Sequence, residues 1–152
     1  MDAITLFCKN MQKINVNYLL KQLFLDTSFK DFIVQQNRDE QLYLLGVDSK
    51  GKKLRSEFAR FGNVYSNNTI LKKKETGQPT DRVTLNETGA FYKTFKVGSD
   101  RAIYANTIKE DDDLVKVWGE DILGLTDESL QRVIDLSIEI IIPIILYDAL
   151  DI

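Results

Sequence analysis

Few side chains in this chain could do chemistry, and their spacing narrows what that chemistry could be. Histidine is absent and cysteine occurs once, at Cys8. Without an imidazole no Ser–His or Cys–His pair can activate a nucleophile, and the common zinc sites lose their usual ligand. Cys8, between Phe7 and Lys9, is expected to pack as a small apolar residue, and a lone cysteine excludes an intramolecular disulfide. Asp111, Asp112 and Asp113 are adjacent in "KEDDDL". A cation needs oxygen ligands at spaced positions, so this run reads as a solvated turn. Asp48 and Ser49, in "GVDSKGKK", lack the alternating acidic partners of a calcium loop and read as a polar corner. Lys72, Lys73 and Lys74 are consecutive, fan around any helix, and are expected in solvent; as a phosphate or acidic-partner contact they would be weak. Glu139, in "SIEIIIP", is the one carboxylate with no cap or loop role; it either faces solvent or pairs across an interface. A phosphate-binding P-loop, a dinucleotide fingerprint, HExxH and GxSxG are all missing. The expectation is a protein with no catalytic residue, no cofactor and no metal.

The elements that would hold these residues can be read from periodicity and punctuation. Leu19, Leu20, Leu23 and Phe24 recur at helical spacing, and Asp26, Thr27 and Ser28 offer cap oxygens for a second helix. Phe29, Phe32, Ile33 and Gln36 carry that stripe toward Leu42, and Gly46 suits its C-terminal end. Ser66 or Asn67 caps a short helix that Gly77 closes. In "GQPTDRVTLNETGAFYKTFKV", Pro79 removes a backbone donor. "RVTL" suits a strand with Val83 and Leu85 on one face, and Thr88 caps a turn that gathers Phe91, Tyr92 and Phe95. "FKV" and "RAIYANT" read as two strands joined at Gly98, Ser99 and Asp100. Thr126 caps the last helix, with Asp127 and Glu128 favoured in its first turn by the helix dipole. Leu125 and Leu130 stand at the spacing of a hydrophobic staple, and Pro143 must kink or break the helix.

The expected fold is α+β: N-terminal helices over 1–46, a small antiparallel sheet in a β-rich corner and hairpin over 77–110, and a proline-kinked C-terminal helix over 126–150. The 152 residues suit one domain. A net charge of −3 gives no general pull toward nucleic acid. The longest apolar run, "IIIPIILY", is far below the roughly 20 residues of a membrane-spanning helix. A start with no cleavable signal pattern adds the expectation of a soluble protein made in a reducing cytoplasm. Ile138, Ile141, Ile142, Ile144 and Ile145 make the C-terminal helix apolar on nearly all sides, as in a helix shared between a core and another subunit.

The order "QLYLLGVDSKGKKL", "YSNNTILKKKETGQPTDRVTLNETGAFYKTF", "VWGEDILGLTDESLQ" resembles a set of small virion proteins of tailed phages and prophages of Bacteroidetes-type hosts, including crAss-like phages. The likeness spans about residues 41 to 131. It rests on Gly77, Pro79, Asp81, Val83, Thr84, Leu85, Thr88, Gly89, Phe91 and Tyr92, then Gly124, Leu125 and Thr126, all structural in character. Glu87 stands where Asp is common and Thr94 where Ser is common, and "RSEFARFGNV" lengthens the approach to Tyr65. The resemblance implies a non-enzymatic subunit of the neck or head–tail connector, assembled in the bacterial host cytoplasm. It would form a homo-oligomeric ring, 12-fold or 6-fold, that contacts portal, neck and tail proteins while DNA passes without specific binding and no membrane is engaged. The alternatives are a tail-terminator or tail-tube-associated protein, a small carboxylate enzyme, or a nucleic-acid-binding module through Lys72 to Lys74.

Overall fold

A computed structural model describes residues 3–12, 14–106 and 113–150. Asp111 and Asp112 of the acidic run lie outside the described residues.

The chain is mostly helical, with one two-stranded antiparallel sheet. Helix α1 (Ala3–Met11) leads to α2 (Val16–Leu25), whose first turn is held by the Asn15 side chain accepting from Tyr18 N at 3.0 Å. Asp26 then serves two helices. Its backbone N–H closes α2 on the carbonyls of Gln22 and Leu23, and its carboxylate accepts from Phe29 N at 2.8 Å to start α3 (Thr27–Gln35). One residue therefore fixes the angle between α2 and α3, because its own dihedrals (φ −69°, ψ 123°) are extended.

After Gln35 the helix continues to Leu45 with π-type hydrogen bonding, a long run for a geometry mostly seen as single turns. Gly46 ends it in the left-handed region (φ 65°). A Cβ there would also lie 2.9 Å from the Val83 carbonyl, so glycine is required twice over. The polar corner after it is built as a turn. Asp48 Oδ1 accepts from the backbone of Lys50 and Lys52, both at 2.9 Å, and Val47 bridges to Lys53.

Helix α4 (Asn67–Glu75) starts at Ser66, whose hydroxyl accepts from Thr69 N, and ends where Gly77 turns left-handed. The aromatic triplet gathers as expected. Phe91 and Phe95 meet edge to face with centroids 5.0 Å apart, and Tyr92 and Phe95 likewise at 5.9 Å. Strands β1 (Lys96–Val97) and β2 (Ile103–Tyr104) pair with Lys96 opposite Tyr104 and Val97 opposite Ile103. The connection is Gly98 to Ala102, longer than the three residues expected.

"RVTL" is not a strand. Leu85 sits at φ 53° and the segment runs irregularly. The reason is that Thr84, fully buried, satisfies its backbone on side chains. Its N–H donates to the Tyr65 hydroxyl at 2.9 Å and its carbonyl accepts from the Tyr92 hydroxyl. With both groups already bonded, no ladder partner is needed.

Helix α5 (Leu114–Trp118) is capped by Asp113, the described member of the acidic run, which accepts from Val115 N and Lys116 N. Helix α6 (Asp127–Leu136) starts on Thr126, whose hydroxyl accepts from Ser129 N. Leu130, expected in the staple, is exposed. A bend of 38° falls at residues 123–126. The helix does not stop at Pro143. A π turn (Ser137–Ile141), in which Ile142 N–H reaches back five residues to the Ser137 carbonyl, carries α6 into α7 (Ile142–Leu150). Widening the turn ahead of proline relieves the clash that its ring would otherwise make four residues back.

Two apolar clusters result. One joins Val34, Leu42, Val83, Leu85, Phe91, Tyr92, Phe95 and Ile122; the other joins Leu23, Phe29, Ile33 and Val133. Val97 and Ile103 of the hairpin pack against both, so the small sheet ties the corner to the helices.

Candidate functional site

The middle of the chain is organised around Lys73, which is 6% exposed and not the solvated lysine its neighbours suggest. Its Nζ donates to Gln78 Oε1 at 2.8 Å, Thr84 Oγ1 at 3.1 Å and the Asn86 carbonyl at 2.7 Å, using all three protons. The ammonium also lies 5.0 Å from the centre of the Tyr65 ring. Burial pulls its pKa below the usual lysine value, opposed by the charge of Glu87. Gln78 completes the closure, its amide donating to the Glu87 carbonyl at 3.0 Å. The loop from Gln78 to Glu87 is thus clasped at its base, and Tyr65, Lys73 and Tyr92 all meet at Thr84. Burial is the first cause that raises the Tyr92 phenol far above its ordinary value of 10.0.

A second polar knot joins regions far apart in sequence. Asn37 and Gln41 are both fully buried in the π segment. Asn37 Nδ2 donates to the carbonyls of Ile122 at 3.1 Å and Gly124 at 2.7 Å. Gln41 Nε2 donates to Gly124 at 2.9 Å while its Oε1 accepts from Thr126 N at 2.8 Å. The start of α6 is therefore held by side chains 85 residues away. Gly124 is needed by close approach, since a Cβ would lie 3.0 Å from the Ser49 side chain.

The structure brings together Val83, Leu85, Phe91 and Tyr92 in one core. Gly77 ends α4, Thr88 Oγ1 accepts from Ala90 N in the turn at Gly89, and Asp81 forms an exposed ion pair with Arg82 at 2.8 Å. Pro79 is half-buried. Sequence reasoning missed Asn37, Gln41, Tyr65 and Lys73. For two of them a signal existed: Ile33, Asn37 and Gln41 follow one another every four residues, a polar continuation of a core-facing stripe.

The isoleucines of the C-terminal helix divide into two groups. Ile141, Ile142 and Ile145 pack against Leu23, Phe29, Ile33 and Val133. Ile138 and Ile144 are 60% and 56% exposed, and Ile134, Ile140 and Tyr147 are exposed with them. Glu139 is exposed. Cys8, expected to pack as an apolar residue, is also exposed, because α1 meets the rest of the protein chiefly through α7. Among the described residues no group of three His, Cys, Asp or Glu side chains could hold a metal ion, and no helix is long and apolar enough to cross a membrane. The described residues include the walls of two open depressions. One, about 480 Å³, is lined by α3, Arg38, Asp39 and Leu136; the other, about 360 Å³, lies between α2, α3 and the hairpin.

Comparison with protein-family profiles, curated proteins and solved structures finds no match to this chain.

Proposed function

We propose that this chain is a non-enzymatic structural subunit of a tailed-phage virion, in the neck or head–tail connector, that multimerises through the outward face of its C-terminal helix. The observation that carries the reading is exposed apolar surface: Ile134, Ile138, Ile140, Ile144 and Tyr147 stay in water while Ile141, Ile142 and Ile145 of the same run are packed. Exposed apolar surface on a folded protein marks a contact still to be made, and a ring requires a patch whose contact with the next copy closes by rotation. The character of the middle segment adds support. Its polar groups are spent on shaping a rigid corner, with Lys73, Tyr65, Tyr92 and Gln78 bonded to protein atoms. The quoted motifs give the virion assignment, and the acidic chain suits a channel along which DNA slides without holding.

The test pairs sedimentation with imaging. Wild-type protein is expected to sediment as a closed multimer, alone or with its neighbouring subunits. The double variant Ile138→Asp/Ile144→Asp is expected to be monomeric with unchanged thermal stability, since neither side chain is buried. Electron microscopy of intact particles should place the chain at the neck. A wild-type protein that stays monomeric with every candidate neighbour and is absent from particles refutes the proposal.

A further inference from the structure

The depression between α2, α3 and the hairpin has a composition that the corner and the apolar face do not explain. Three cations from three separate elements line it: Lys21 of α2, Lys30 of α3 and Arg101 of the hairpin loop. Phe24, Val97 and Ser99 contribute to its walls. Among the described residues none of the three forms an ion pair with a carboxylate, whereas Arg38, Arg82 and Arg132 each do. Of the acids nearest in sequence, Asp31 lines the other depression, beside Arg38, and two are engaged in turns and caps. Asp26 caps α3, and Asp100 accepts from the Tyr104 hydroxyl and from Ala102 N. Arg101 is also held in the left-handed region (φ 70°), a costly conformation for a residue with a Cβ, and its guanidinium lies 5.3 Å from the centre of the Phe24 ring. The backbone is thus bent in a way that stations this side chain at the cleft.

We propose that this cleft binds the phosphate group of a small phosphomonoester. A single carboxylate would leave two of the three positive charges uncompensated, while a phosphomonoester carries close to two negative charges at neutral pH. The planar fork of arginine matches phosphate oxygens, and two lysine ammoniums supply point charges beside it. About 360 Å³ accommodates a phosphate with a small organic group. The site is independent of the C-terminal face and of the virion assignment.

The full chain is titrated calorimetrically with adenosine monophosphate, with a single-stranded DNA oligonucleotide and with oligo-glutamate, at two salt concentrations. Saturable binding of adenosine monophosphate is expected. Lys21→Gln, Lys30→Gln and Arg101→Gln should each weaken it by about tenfold, the size of a lost hydrogen bond to a charged group, while Lys52→Gln in the distant corner leaves it unchanged. Thermal unfolding of each variant without ligand confirms that it folds. If the monophosphate binds, the source is a small molecule. If only the oligonucleotide binds, the cleft is a contact for singly charged backbone diesters and the proposal fails. The proposal is overturned if adenosine monophosphate does not bind, if its binding survives all three substitutions, or if oligo-glutamate binds as tightly.

Discussion

Replacing Lys73 with methionine is the sharpest probe of how the middle of the chain holds its shape. Methionine keeps the length and apolar stem but deletes the ammonium, leaving three acceptors without a donor. Gln78 and Asn86 are half-buried and can turn to water, so each lost bond there costs about 0.5–1.5 kcal/mol. Thr84 is fully buried, and its hydroxyl loses a charged partner at the upper end of that range. Against this, removing a cation from a buried place recovers part of its desolvation. The net expectation is a loss of about 2–3 kcal/mol, or a fall in Tm of roughly 4–12 °C for a chain of this length. The same helix carries its own controls. Lys72 and Lys74 are exposed, and the Lys72–Glu87 pair at 3.9 Å is solvated on both sides, so Lys72→Met and Lys74→Met should stay within about 0.5 kcal/mol of wild type. Urea unfolding followed by the fluorescence of Trp118, the only tryptophan, measures all three. A Lys73→Met variant as stable as Lys72→Met would refute the clasp.

Two other expectations use the same logic. Tyr92 has its phenol pKa raised by folding, so its stabilising contribution is fully present below pH 10.0, the ordinary phenol value, and drains away as pH rises beyond it. Lys73 acts in the opposite sense: its pKa is lowered, the unfolded chain holds more protons in the range below 10.5, and stability from this group grows with pH there. Tyr92→Phe should lose about 1–2 kcal/mol at neutral pH, because the Thr84 carbonyl loses its donor, and should show a flatter fall above pH 10.0 in alkaline unfolding followed by circular dichroism; an unaltered alkaline limb contradicts the assignment. Gln41→Ala should cost about 2–4 kcal/mol in urea unfolding, since it empties a fully buried side-chain site, strips a donor from Gly124 and leaves the half-buried Thr126 N–H without its acceptor; a cost below about 0.5 kcal/mol would mean that the knot does not hold α6.

What was legible in the sequence was local. The caps at Asp26, Ser66 and Thr126 bond within three residues, so their signal lies beside them. Gly46 and the Phe91–Tyr92–Phe95 cluster follow from backbone freedom and one-turn spacing. The hairpin was readable because its strands flank a turn, although the loop proved longer. What escaped was set by distant partners. The π segment is stabilised by carbonyls at Ile122 and Gly124, more than 80 residues on, and nothing near Asn37 encodes that. "RVTL" has strand composition, yet Tyr65 and Tyr92 occupy the backbone of Thr84 and a left-handed Leu85 ends any extension. Three adjacent lysines look alike until one of them meets a pocket of oxygens. The polar groups of the corner are legible only afterwards, because their meaning is a three-dimensional coincidence.

The turn ahead of Pro143 also sets a phase. An α-helical residue advances by about 100° around the axis, so every position after Ser137–Ile141 owes its azimuth to the wide turn before it. Deleting a single residue there would swing Ile145 into the exposed place of Ile144 and bring Leu146 to the packed place of Ile145. Which isoleucines face inward and which face water is thus a matter of counting, not of hydrophobicity, in a run where nearly every letter is the same.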